Sequence, residues 1–136
     1  MTVDQARASL LLIMEELAED FRRKHPAWKA SIVDSAVGGS TAYQAHAFGL
    51  SCLAYDEETQ TDLLDLTVVI AHLDDAPSIE SADLVWGDGR IVAELISEPI
   101  AFSVEQLTWI SGELPILVRA MEQALSVASR SKPMSA

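Results

Sequence analysis

The chain has 136 residues, the size of one ordinary globular domain. Apolar residues make up 49% and charged residues 22% of it, which is the composition of a folded protein and excludes intrinsic disorder. With 9 basic and 21 acidic residues its net charge is −12, so it would repel phosphate backbones and anionic membranes, and we expect neither nucleic acid nor a membrane as partner.

The first predicted element is an N-terminal helix. Thr2 and Gln5 have the spacing of a capping box, in which each side chain binds the backbone of the other residue. Apolar residues then recur three and four positions apart, as on one face of a helix. These are Val3, Ala6, Leu10, Ile13, Leu17 and Phe21. Pro26 predicts the end of the helix, because the residue before a proline is pushed out of the helical region.

From Ala27 the apolar residues alternate, which predicts a first strand and, after a turn at Gly38-Gly39, a second strand over residues 41–55. A two-residue turn would place Trp28 opposite Gly49, where the ring could cover the bare glycine. Residues 56–61 are polar and turn-like. The third strand, over residues 63–73, is rich in apolar and β-branched residues and is expected to be central.

Residues 74–78 contain Pro77 and predict a loop. Gly87-Asp88-Gly89 then predicts a hairpin between strands at 82–86 and 90–96. In the simplest register Leu84 faces Ala93, Trp86 faces Ile91, and Val85 faces Val92. That register also places Asp83 opposite Glu94, and like charges in this position destabilise a sheet. Either the pair is solvated, or it binds a cationic group, or the register is shifted by one residue.

The last predicted element is a second helix. Ser103 and Gln106 form another capping box, and Phe102 can pack on Leu107 as a hydrophobic staple. Gly112 and Pro115 interrupt the helix, so we expect a kink or two abutting helices. Residues 129–136 are small and polar, which predicts a flexible tail after a single domain over residues 1–128.

Together these elements predict an α+β fold. It has an N-terminal helix, a five-stranded antiparallel meander and a kinked C-terminal helix, with both helices on one face of the sheet.

Two histidines are candidate metal ligands. If the turn between the second and third strands is centred near Thr59, His46 faces His72, and Gln44 faces Asp74. Two imidazoles and a carboxylate at one end of a sheet could form a zinc or iron half-site. The alternative is that they are polar residues at the rim of the sheet, since a slip of one residue sends one ring to the other face. We predict no cofactor.

Other chemistry receives little support from the sequence. The neighbouring carboxylates Asp74 and Asp75, and the pair Asp83 and Glu94, could do acid–base work, but in so acidic a chain proximity is expected by chance. Cys52 shares its parity with Phe48 and Leu50 and is predicted to be a small core residue. As the single cysteine it cannot form a disulfide within the chain, which fits a cytoplasmic protein.

The face of the sheet turned away from the helices is the better candidate site. It is expected to carry apolar residues that two helices on one side leave uncovered. These interface candidates are Val69, Ala71, Leu73, Val85, Val92 and Ile96. Between Ala30 and Val118 there are 15 acidic residues and one basic residue, so this face would have an acidic rim. The alternative is that one helix crosses over and covers it.

We therefore expect a non-enzymatic, acidic protein-binding domain that forms a homodimer, with a basic protein as a further expected partner. Small acidic cytoplasmic proteins of bacteria with this make-up include secretion chaperones and immunity proteins, and the analogy is one of size, charge and α+β content. A second hypothesis is a small-molecule-binding protein or enzyme. Its pocket would lie between the C-terminal helix and the sheet, lined by Trp86, Phe102 and Trp109, with His46 or His72 as polar group.

Overall fold

The structure, a computed structural model, describes residues 2–26, 28–39, 43–57, 60–73 and 76–131. Its two helices are α1 (Val3–Lys24) and α2 (Val104–Ser131). The strands are β1 (Lys29–Gly39), β2 (Tyr43–Glu57), β3 (Gln60–Leu73), β4 (Ala76–Trp86), β5 (Ile91–Ile96) and β6 (Ile100–Ala101). The first five strands form an antiparallel meander in chain order, and the short β6 pairs with the start of β4.

Helix α1 begins and ends where the sequence predicts. The Gln5 N–H donates to Thr2 Oγ1 (3.2 Å), and the Thr2 N–H donates to Gln5 Oε1 (3.0 Å), which completes the capping box. The last turn closes at His25, whose N–H donates to the Phe21 carbonyl (2.9 Å), directly before Pro26. The buried stripe of α1 is Val3, Ala6, Leu10, Met14, Ala18 and Phe21.

Both helices cover the same face of the sheet, as predicted. The even-numbered residues of β2 and β3 point to the helices and form a single core with them. The sheet contributes Phe48, Leu50, Cys52, Leu64, Leu66, Val68, Ile70, Ile79, Ala82, Leu84 and Ile96. Helix α2 adds Ile110, Leu114, Leu117, Val118, Met121 and Leu125. Burial of this apolar surface is the main favourable term in folding.

The β1–β2 pairing differs from the predicted one. Gly49 lies opposite Val33, and Trp28 precedes the strand, so the predicted cover of Gly49 by Trp28 is wrong. A different contact explains the glycine. A Cβ atom at Gly49 would lie 2.0 Å from the Leu66 carbonyl oxygen of β3, so only a residue without a side chain fits.

Strand β4 is longer than predicted, because it begins at Ala76 and includes Pro77 rather than leaving it in a loop. Proline is tolerated there because its missing N–H is not needed, and its carbonyl accepts from the Phe102 N–H (3.0 Å). The polar segment expected as a turn at residues 56–61 is also shorter, since β2 reaches Glu57 and β3 starts at Gln60.

The β4–β5 hairpin has the predicted pairs Leu84–Ala93 and Asp83–Glu94, but two register shifts flank them. As a result Ile91 pairs with Val85 instead of Trp86, and Val92 has no partner across the pairing.

Helix α2 is one continuous helix through Pro115, so two abutting helices were the wrong alternative. Pro115 lacks the N–H that would bind the Ser111 carbonyl, and Ser111 Oγ donates one turn back to the Leu107 carbonyl (2.7 Å). At its start the Gln106 N–H donates to Ser103 Oγ (3.3 Å), as the capping box predicts. The helix continues to Ser131, beyond the boundary at residue 128 expected from the sequence.

Candidate protein-binding face

The outer face is the side of the sheet turned away from α1 and α2, and alternation along the strands gives it the odd-numbered residues of β1, β2 and β3 with their partners on β4 and β5. From β1 and β2 these are Lys29, Ser31, Val33, Ser35, Ala45, Ala47, Gly49 and Ser51. From β3, β4 and β5 they are Asp65, Thr67, Val69, Ala71, Ser78, Ser81, Asp83, Val85, Ile91 and Glu94. Small, β-branched and hydroxyl side chains dominate this surface.

The predicted interface residues do not all lie on it. Val69 and Val85 are half-buried on the outer face, and Ala71 is there too but fully buried, since its small side chain lies on a central strand between two neighbours. Ile96 is in the core, because the register shift beside Ala82 turns it to the helix side. Val92 is 38% exposed at the other shift.

The side chain of Leu73, the remaining interface candidate, lies outside the described residues. One residue that the simplest register paired with Trp86 lies on the outer face instead. Ile91 pairs with Val85 there and is 62% exposed. A bulge in β5 places Ile91 on this face. The sequence could not have shown this, because bulges have no fixed sequence pattern.

Three carboxylates stand among these apolar residues. Asp83 lies directly opposite Glu94 on β5 and opposite Thr67 on β3, while Asp65 lies opposite Val85. Burial raises the pKa of Asp83 above its ordinary value, and the neighbouring negative charge of Glu94 raises it further. The face therefore holds a partly buried carboxylate beside a like charge. A cation brought to this point would be stabilised.

The histidines do not meet as expected. The turn between β2 and β3 is shorter and a register shift follows Leu53, so His46 lies opposite Ile70, and His72 lies opposite Gln44. The predicted pairing of His46 with His72 is therefore wrong by two residues, although both lie on the helix side of the sheet. Asp74 lies outside the described residues.

His46 has another partner. Its Nε2 forms a hydrogen bond with the carboxylate of Asp34 on β1, and its ring packs on Phe48 with 4.5 Å between centroids. Within the described part of the chain, no group of three or more His, Cys, Asp or Glu side chains is arranged to hold a metal ion.

The predicted pocket residues differ in their burial. Phe102 is buried in the core, whereas Trp109 is 39% exposed on α2. Trp86 packs against the rim of the core, and the Arg90 guanidinium lies 5.5 Å from its ring centroid. Phe102 therefore belongs to the buried core rather than to an open surface.

Two shallow depressions lie elsewhere on the surface. One, of about 690 Å³, lies beside the start of β1 and includes Arg22, Trp28 and Lys29. The other, of about 440 Å³, lies at the junction of the helices beside His25 and Glu122.

An aromatic and charged cluster at that junction was not found by sequence reasoning. The His25 ring stacks on Trp28 (4.3 Å between centroids) and contacts Phe21 (5.1 Å), and its Nε2 lies 2.7 Å from Glu122 Oε2. Because His25 ends α1 and Glu122 lies on α2, this pair ties the two helices together. Its partners are 97 residues apart, and no local pattern marks such a pair.

Cys52 is fully buried, as predicted, and burial raises the pKa of its thiol to about 11. The thiolate, which is the nucleophilic form, is therefore disfavoured.

Compared with protein-family models, curated proteins and solved structures, the chain shows no significant match. In the described ranges, neither helix has the length and apolar character needed to cross a membrane.

Proposed function

We propose that this protein is a non-enzymatic binding domain whose outer sheet face binds a protein partner that presents basic residues. One observation supports this above the others, namely the Asp83–Glu94 pair on a sheet face that neither of the two described helices covers. The sequence left three explanations for these opposed carboxylates, namely solvation, a cationic ligand or a register shifted by one residue. Because Asp83 does pair with Glu94, the first two remain. The partial burial of Asp83 between Thr67 and Glu94 supports the second, since burial limits its solvation.

The apolar content of the face supports the same function. Ile91, Val85, Val69 and Val33 can pack against a partner, while Asp65, Asp83 and Glu94 can bind its lysine or arginine side chains. Interfaces of this kind combine an apolar centre with charges that set specificity and speed of association. The excess of acidic residues between Ala30 and Val118 adds long-range attraction for a basic protein.

The homodimer expected from sequence is not assigned to this face. In face-to-face packing about a two-fold axis, the carboxylates of one copy would approach those of the other, and like-charge contacts oppose association. A partner of opposite charge fits the face better than a second copy does.

The proposal can be tested by NMR titration of the labelled chain with a synthetic peptide of alternating lysine and valine. We expect shifts at outer-face amides such as Thr67, Val69 and Val85, and affinity that falls with added salt. The double variant Asp83→Asn/Glu94→Gln should bind at least about tenfold more weakly, because two charge pairs are lost. The matched variant Glu105→Gln/Glu113→Gln removes the same charge from α2 and should bind as wild type. Equal weakening in both variants, or shifts confined to the helices, would contradict the proposal.

A further inference from the structure

The two edges of the sheet differ in how far they could accept another strand. β5 is six residues long and has two register shifts against β4, which are features that blunt an edge. β1, at the other edge, is 11 residues long, and its register against β2 is regular from Lys29 to Ala36. The β1 edge is therefore the longer and more regular row of backbone groups.

A side chain shows which backbone groups of β1 point outward. Arg22, exposed on α1, donates from Nε to the Ala30 carbonyl (3.0 Å). An exposed side chain reaches that carbonyl from the open side of β1, so the carbonyl points away from β2. Backbone direction alternates along a strand, and the N–H and C=O groups of Ile32 and Asp34 accordingly point outward as well.

The charges along the β1 edge are complementary to those of a second β1 edge that runs in the opposite direction. Asp34 lies on the helix side of the sheet, opposite Phe48, and its carboxylate is partly exposed. Arg22 lies on the same side, four residues back along the edge, at Ala30. An antiparallel strand centred on Ile32 would place its own position 34 opposite Ala30. The carboxylate of one strand would then meet the guanidinium beside the other.

We propose that two copies of this chain pair antiparallel along β1, about a two-fold axis at Ile32, to form one continuous sheet. Ile32 faces Ile32 of the second copy, Ala30 faces its Asp34, and symmetry gives two contacts between Arg22 and Asp34. The outward N–H and C=O groups of Ala30, Ile32 and Asp34 complete the ladder, in which the Ala30 carbonyl accepts a backbone N–H. In the single chain Arg22 occupies that carbonyl.

The second copy is favoured over an extended segment of another protein. A segment that was basic throughout would meet Arg22 and Lys29 at one end of the edge, and one that was acidic throughout would meet Asp34 at the other. The β1 edge of a second copy carries both charges, with Arg22 and Lys29 at one end and Asp34 at the other. This pairing goes beyond the proposed function, because it uses the edge of the sheet. The outer faces of both copies then lie on the same side of the joined sheet and stay uncovered.

Sedimentation and light scattering of the full chain over a range of concentrations test the pairing. Wild type should be a dimer at micromolar and higher concentrations. Arg22→Glu and Asp34→Lys should each raise the dissociation constant at least about tenfold, since each creates two like-charge contacts. The double variant Arg22→Glu/Asp34→Lys should restore dimerisation. Arg7→Glu makes the same charge change at an exposed position near the start of α1 and should leave the dimer unchanged.

A backbone variant tests the ladder separately from the charges. Ala30→Pro removes an outward N–H, so it should abolish the dimer and leave the monomer folded. Ser31→Pro removes an N–H directed to β2 and should destabilise the monomer itself, which thermal unfolding would report. Thermal unfolding also checks Asp34→Lys, because Asp34 binds His46 within the chain.

The proposal is overturned by a wild-type monomer at all concentrations, by a dimer that the edge variants leave intact, or by singles that weaken the dimer and a double variant that fails to restore it. A monomer that binds another protein, and loses that binding in Arg22→Glu, also overturns it. Failure of the proposed function would appear differently. The variant Asp83→Asn/Glu94→Gln should leave the dimer intact, and a peptide that fails to bind says nothing against the β1 pairing.

Discussion

Asp83 and Glu94 lie directly opposite each other on β4 and β5, and each is a carboxylate on the outer face. Natural sheets avoid like charges in this position because they cost stability. The pair predicted from the sequence is present in the structure, and the proposed function depends on it.

Removing one charge of this pair should stabilise the protein. We expect Asp83→Asn to raise the free energy of unfolding by about 0.5 kcal/mol near neutral pH, the lower part of the range for cross-strand charge pairs because solvent screens them. The pKa of Asp83 is higher in the folded chain than its ordinary value of 3.8, so the folded state binds this proton more tightly. The stability that this tighter proton binding contributes is therefore fully present below the pKa of Asp83 in the unfolded chain, and it is lost as the pH rises through the pKa in the folded chain.

The gain from Asp83→Asn should accordingly vanish when the carboxyl of wild type is protonated. Urea unfolding of both proteins, at neutral pH and below the ordinary value of 3.8, measures this difference. Glu98→Gln, at an exposed position between β5 and β6, is the control and should change stability little at either pH. A gain of equal size at both pH values would mean that charge is not its cause.

Two glycines should respond in opposite directions to alanine. Gly49→Ala would place a methyl group against the Leu66 carbonyl, at 2.0 Å, between two central strands. We expect a loss of about 2 kcal/mol or more, since the backbone must shift. Gly112 lies within α2 with no neighbouring atom within 4 Å of an added Cβ, so Gly112→Ala should gain roughly 0.5–1 kcal/mol from helix propensity. Thermal unfolding of both variants checks the pair, and a neutral Gly49→Ala would contradict the close approach of β2 and β3.

The contact of His25 with Glu122 should couple the two helices. Both side chains are partly exposed, so we expect an interaction energy of about 0.5–1 kcal/mol. A double-mutant cycle of His25→Ala and Glu122→Ala in urea measures it. The corresponding cycle of His25→Ala with Glu113→Ala, which lies elsewhere on α2, should give no coupling. Additive losses in the first cycle would mean that the helices are joined by other contacts.

Local signals predicted the elements well. Thr2 with Gln5 and Ser103 with Gln106 mark helix starts because a cap is a contact between residues three apart. Periodicity likewise predicted the buried position of Cys52 and the common face of the helices, since one apolar stripe per helix and one apolar side of the sheet allow few arrangements.

Registers could not be predicted in the same way. A single added residue shifts the pairing of every residue beyond it. Beside Leu53 such a shift contributes to separating His46 from His72 along the sheet, and beside Ala82 it turns Ile96 into the core. The free energies that select a bulge come from packing across strands, and these neighbours are distant in sequence. Of the predicted interface residues, Val69 and Val85 lie on the outer face, whereas Ile96 lies in the core.

The helices flank the sheet in the order of the chain, and α2 supplies about a quarter of the core cluster from the last described element. During synthesis the meander must therefore wait, with one apolar side open, until α2 has left the ribosome. For that interval the core residues that α2 covers in the folded chain are exposed to water. We expect chains shortened before Val104 to aggregate, and holding chaperones to matter most for this protein while its final helix is still being made.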